Sequence, residues 1–208
     1  MNRIIAALFL FVQISTSASA QVKSYEPGSL VNDFKLKNVD NKQVSMADFP
    51  GAKGYIIVFT CNTCPYAKAY EQRIIDLHNK YAAKGYPVIA INPNDPEVSP
   101  GDSFAAMQER SASKKYPFPY LLDPEQTVTR RFGATRTPHV FIVNKTSDGN
   151  KVAYIGAIDN DTEDNNPDRV KYVDEAIGAL MAKKVPGTTT TKAVGCTIKW
   201  KKGQGTSL

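Results

Sequence analysis

The stretch Tyr55-Ile56-Ile57-Val58-Phe59-Thr60-Cys61-Asn62-Thr63-Cys64-Pro65 decides how the chain is read. Tyr55 to Thr60 is a short apolar run rich in β-branched and aromatic residues, the pattern of a buried strand. Pro65 suits the first turn of a helix, and Ile74, Ile75 and Leu77 give that helix an apolar face. Two cysteines two residues apart therefore fall on a strand-to-helix junction. There the first thiol, Cys61, is expected to meet the free amides of the helix N-terminus and to ionise below the ordinary thiol value. The pair points to dithiol–disulfide chemistry.

Outward from this junction, strands and helices alternate. Phe34–Lys37 and Gln43–Met46 read as a β-hairpin around Asp40-Asn41. A helix is expected from Pro65 to about Ala83, ending near Gly85, and a buried strand over Pro87–Ile91. A Pro/Asp/Asn-rich loop from Asn92 to Gly101 leads to a helix over Ser103–Lys114 and a short strand at Tyr120–Leu122. A short helix follows over Pro124–Phe132, stopped by Gly133. His139–Val143 and Val152–Gly156 form a second hairpin across Ser147–Asn150, and a last helix spans Asp168–Lys183. The order predicts an α/β sandwich with a mixed central sheet and helices on both faces.

The 208 residues also bound the protein's surroundings. Arg3, the apolar run Ile4–Val12 and Ala18-Ser19-Ala20 have the form of a signal peptide cleaved after Ala20. No later stretch approaches ~18 consecutive apolar residues, so no integral membrane segment is expected after cleavage. The expected product is an exported, soluble protein of the periplasm or exterior. It would have one domain over 21–185 and an extended tail over 186–208. The formal charge of +6 falls to about +5 without residues 1–20, and no basic stripe interleaved with aromatics suggests nucleic acid. Asp159–Asp164 lacks the glycine and glutamate of a calcium loop and reads as a solvated turn. Three cysteines in an exported chain leave one over, Cys196. It sits beside the single Trp, in a segment expected to dock. It could resolve against Cys61, link two chains or stay a free thiol.

The chain resembles the thioredoxin-fold superfamily, specifically its redoxin branch (alkyl hydroperoxide reductase/thiol-specific antioxidant-like) of exported thiol–disulfide oxidoreductases. Three features carry the resemblance: Cys61-Asn62-Thr63-Cys64 at its strand–helix junction, Ala134-Thr135-Arg136-Thr137-Pro138-His139-Val140-Phe141-Ile142, and the opening Pro27–Phe34. The resemblance spans roughly residues 27–183. It implies a three-layer thioredoxin-like sandwich with an N-terminal β-hairpin and one inserted helix–strand unit. It also implies a cis Thr137-Pro138 peptide facing the cysteines, with the Thr137 backbone pairing an extended substrate. Cys61 would then be the nucleophile and Cys64 the resolving thiol, acting without a cofactor on protein dithiols or disulfides with an unidentified electron donor or acceptor. The family's buried acid has no match on Tyr55–Thr60; Glu71 and Lys68 are candidates, though an i,i+3 surface pair is the plainer reading.

Two other readings share the fold. A peroxiredoxin-like thiol peroxidase wants Pro seven and Thr or Ser three residues before its cysteine. Counting back gives Gly54 and Val58 from Cys61, and Ile57 and Cys61 from Cys64. A copper-binding chaperone would use Cys61, Cys64 and His139, whereas zinc would need a fourth ligand. A purely structural bridge would close too small a loop to stabilise the chain much.

Overall fold

A computed structural model describes residues 23–203. The expected signal peptide, residues 1–20, lies outside them. Among the described residues no helix is long and apolar enough to cross a membrane.

A seven-stranded mixed sheet carries the fold. Its strands are β1 (Lys35–Asn38), β2 (Gln43–Ser45), β3 (Gly54–Phe59), β4 (Val88–Asn92), β5 (Tyr120–Leu122), β7 (His139–Thr146) and β8 (Gly149–Gly156). They lie in the order β2-β1-β5-β4-β3-β7-β8. β3 runs parallel to β4 and antiparallel to β7, so it is covered on both edges and buried along its whole length. Its period-two alternation divides the core. Ile56 and Val58 face α1 (Pro65–Tyr81), α2 (Phe104–Lys114) and α4 (Tyr172–Met181). Tyr55, Ile57 and Phe59 face α3 (Thr127–Phe132), the N-terminal segment and the end of the chain. A two-stranded ladder of β6 (Arg136–Thr137) and β9 (Cys196–Thr197) completes the structure. This is the three-layer thioredoxin-like architecture with an N-terminal hairpin; α2 and β5 form the inserted unit.

Three boundaries differ from the sequence reading, each for a local reason. α3 starts at Thr127 rather than Pro124 because Gln126 turns left-handed (φ 54°) and the Asp123 carboxylate accepts from the Thr129 amide at 2.7 Å. α4 starts at Tyr172 rather than Asp168. Side chains preceding it claim the backbone: Asn160 accepts from the Val170 amide at 2.8 Å, and Asn166 from the Asp168 amide at 2.9 Å. The β7–β8 hairpin is longer than expected, closing through the two residues Ser147 and Asp148.

The acidic segment is not a solvated turn throughout. Asp159 and Asp161 are buried. Arg73, on the inner face of α1, donates through Nη1 to Asp159 at 2.8 and 2.9 Å and also to the Asp161 carbonyl. Tyr70 adds an O–H donor to Asp159 at 2.9 Å. An ion pair shielded from water is costly to half-remove, because the surviving charge keeps its desolvation cost and loses its partner. Asp159→Ala should therefore lower unfolding free energy by about 3–5 kcal/mol in urea titrations.

Candidate active site

β3 ends at Phe59 and α1 begins at Pro65, so Cys61-Asn62-Thr63-Cys64 is the junction between them. The Thr137–Pro138 peptide is cis and faces it. Cys61 Sγ lies 3.3 Å from Thr137 Oγ1, and the Cys64 thiol donates to the Thr137 carbonyl at 3.1 Å. The structure thus brings together Cys61, Cys64, Thr137 and Pro138. Proline has no N–H to compete for the sulfurs. Cys61 and Cys64 are both buried, at 5% and 4% exposure.

Two expectations about the thiols change. The helix N-cap is Cys64, not Cys61. The amides of Asn62 and Thr63 are taken by the carboxylate of Asp102, at 2.7 and 3.2 Å. Cys61 therefore gains little from the helix terminus. Its contact with Cys64, its burial and the nearby Asp102 carboxylate all push its pKa upward. Cys64 moves the other way, down to about 4, chiefly through the Cys61 thiol beside it. Against this, burial opposes the charge, while Cys196 and the Ala67 amide favour it. Both shifts favour Cys64 over Cys61 as the first to ionise, at the loss of its hydrogen bond to the Thr137 carbonyl.

Asp102 is the buried acid that sequence reading missed. It is fully buried at the end of a 3-10 turn over Pro100–Asp102. Besides the two amides it accepts from Thr63 Oγ1 (2.8 Å), Asn94 Nδ2 (2.8 Å) and Ser99 Oγ (2.7 Å). Tyr120 O–H in turn holds Asn62 Oδ1 at 3.0 Å. The acid comes from the loop after β4 rather than from β3. The only hint in the sequence is the polar cluster Asn92, Asn94 and Asp102 following an apolar strand. Glu71 is no substitute. It ties α1 to α2 through Arg110 (2.6 Å) and Lys114 (3.3 Å) and to the turn beyond α2 through Tyr116 (2.7 Å), while Lys68 is exposed.

His139 directly follows the cis proline but is occupied. It accepts from the Thr135 amide at 3.3 Å and packs on Phe141 at 4.7 Å between ring centroids. Among the described residues no group of three or more His, Cys, Asp or Glu side chains is arranged to hold a metal ion. A cleft of about 880 Å³, lined by Lys53, Tyr86, Asn144 and Lys151, opens at the opposite end of β3 from the cysteines.

The end of the chain closes over the pair. Thr189 and Thr191 hydrogen-bond Ile155 of β8, and Cys196 pairs with Thr137 across β6–β9. Ile198 is buried against the Phe59 and Phe132 side of the core. Further on, Gln126 and Asn94 hold the Lys199 backbone at 2.9 Å. The backbone edge expected to receive a substrate strand is filled by the protein itself.

Known proteins resemble the chain in sequence and in fold. The AhpC/TSA family profile matches residues 27–154. The thiol-disulfide oxidoreductase ResA of Geobacillus thermodenitrificans is 24% identical over 125 residues, 60% of this chain and 67% of that protein. ResA of Halalkalibacterium halodurans is 22% identical over 57% of this chain and 62% of its own length. Among solved structures, an uncharacterized conserved protein from Geobacillus kaustophilus superposes with a TM-score of 0.78. It is 32% identical and covers 86% of this chain and 94% of its own. The hypothetical protein SMc02350 from Sinorhizobium meliloti gives 0.79 at 28% identity, over 87% and 98%.

Two measurements check the site. In a chain carrying Cys64→Ser and Cys196→Ser, adding Asp102→Asn removes a negative charge beside Cys61. The pH midpoint of Cys61 alkylation should fall, and stability should drop by about 1–3 kcal/mol as buried donors lose a charged acceptor. Burial lowers His139 from 6.5 to about 4. Between those values the unfolded chain binds a proton that the folded chain does not, so stability is full above pH 6.5 and is lost as pH falls through about 4. Urea midpoints across that range should show the loss, and His139→Leu should flatten it.

The cysteine pair, the cis proline beside it and the matched profile place the chain in the AhpC/TSA family, as a thioredoxin-like oxidoreductase of the redoxin superfamily.

Proposed function

We propose that the protein exchanges protein disulfides through Cys61 and Cys64, as an exported enzyme released from the signal peptide at residues 1–20. The observation that carries the reading is the pair of sulfurs held against the cis Thr137–Pro138 peptide, with Cys64 Sγ 3.1 Å from the Thr137 carbonyl. ResA, by its name a thiol-disulfide oxidoreductase, supports the same class of reaction.

Cys61 attacks a sulfur of the substrate disulfide, displacing the other sulfur as a thiolate. Cys64 then attacks Cys61 and releases the second substrate thiol. Cys64, once ionised, is the neighbouring group placed to take the Cys61 proton, whereas the Asp102 oxygens are already surrounded by five donors. A folded partner reaches Cys61 only when the β6–β9 pairing opens.

The test is equilibration of the full-length protein in glutathione buffers, followed by acid quenching and alkylation of free thiols. A two-electron transition at Cys61 and Cys64 is expected. A midpoint near about −270 mV marks a reductase and one near about −120 mV an oxidase. Cysteines inert to glutathione that bind Cu(I) tightly would overturn the reading. Cys64→Ser should trap a mixed disulfide on Cys61 that the unaltered protein does not accumulate.

A further inference from the structure

Three thiols, not two, meet at the site. Cys61, Cys64 and Cys196 share one small cluster with Ala67. Cys196 packs against the buried pair, and of the two sulfurs it is Cys64 whose charge it influences. In the first turn of α1, the Ala67 amide favours negative charge on Cys64 and the Tyr66 amide favours it on Cys196. Of the three, only Cys196 is not buried.

The approach of the tail is specifically accommodated. Cys196 stands opposite Thr137 in the β6–β9 ladder, the position expected for a substrate residue. Arg136 holds the Gly195 carbonyl at 3.3 Å, and the Ile198 amide reaches the Thr135 carbonyl at 3.4 Å. A Cβ on Gly195 would lie 2.2 Å from the Thr137 carbonyl oxygen and 3.0 Å from the Pro138 nitrogen, so only glycine allows the segment this close. Upstream, a Cβ on Gly156 would lie 2.1 Å from Thr191 Oγ1. The tail is seated at two backbone-to-backbone approaches, and the second delivers a thiol to the active pair.

We propose that Cys196 is a third redox-active cysteine, a tethered substrate of the Cys61–Cys64 pair that receives its disulfide by exchange at Cys64. The proposal rests on the disulfide-exchange reading above. When the pair is oxidised, the Cys196 sulfur attacks Cys64 Sγ. The Cys64–Cys196 bond forms and the Cys61–Cys64 bond breaks. The bonding electrons leave on Cys61, which takes up the proton that Cys196 gives up. No electron enters or leaves the protein, so the step needs no external oxidant. Its effect is to move the disulfide from a buried sulfur pair to one with a solvent-facing member. An outside dithiol then reduces it by attack at Cys196, with one thiol displacing Cys64 and the other displacing Cys196. The partner leaves as a disulfide and both tail and pair are left reduced. Burial holds the Cys196 thiol up, to about 11, and its neighbour Cys64 adds to this. Exchange therefore depends on the departing Cys61 thiolate as proton acceptor.

The test uses full-length Cys61→Ser protein oxidised with oxidised glutathione, quenched in acid, alkylated and mapped by mass spectrometry. Cys61→Ala is carried in parallel, and the fold of each is checked by circular dichroism. Both variants should lose two thiols and give monomer containing a peptide pair joined through Cys64 and Cys196. Monomer with glutathione on Cys64 and Cys196 fully alkylated would overturn the proposal. Cys196→Ser separates it from the reading on which it rests. That variant should still form the Cys61–Cys64 disulfide, and failure to do so would count against disulfide exchange at the pair rather than against the third thiol.

Discussion

The carboxylate of Asp102 is the contact on which the site depends. A strand-to-helix junction leaves amides pointing into a buried corner, where each unpaired N–H would be costly. Asp102 gathers two of them, together with the hydroxyls of Thr63 and Ser99 and the amide of Asn94. This fixes the loop between the cysteines against the end of β4. It also contributes to the electrostatics of the first thiol. The carboxylate adds to what the Cys64 contact and burial already do, all three disfavouring a Cys61 thiolate.

The second constraint is the parallel pairing of β3 with β4, flanked by β7. It brings the junction, the Asn92–Asp102 loop and the cis proline to the same end of the sheet. None of these segments is near the others in sequence. The sheet registers do the work of assembly, with Phe59 opposite both Ile91 and His139.

How much of this could be read from the residues follows from which interactions are local. Apolar periodicity and a turn signal each operate within a few positions, so β3, α1, β4 and the hairpins were legible, as was the cis Thr137–Pro138 peptide through a family resemblance. The starts of α3 and α4 were not. There, side chains of Asp123, Asn160 and Asn166 compete with the helix for backbone groups, and propensity carries no trace of that competition. Asp102 and the burial of Asp159 were hidden for a related reason. A charged residue in a polar stretch looks solvated until the fold supplies its partners, here five donors for one and Arg73 for the other. Cys196 could be singled out by odd count alone, but its neighbour could not. The tail reaches Cys64 through backbone pairing and one missing side chain, at Gly195.

The glycine at 195 also sets the terms on which anything else can reach the pair. The edge of Thr137 takes one extended strand, and the segment around Cys196 occupies it because Gly195 allows the close approach. A strand from outside therefore competes with one that is tethered. The tether gives the internal strand an effective concentration that dilution of the protein does not lower.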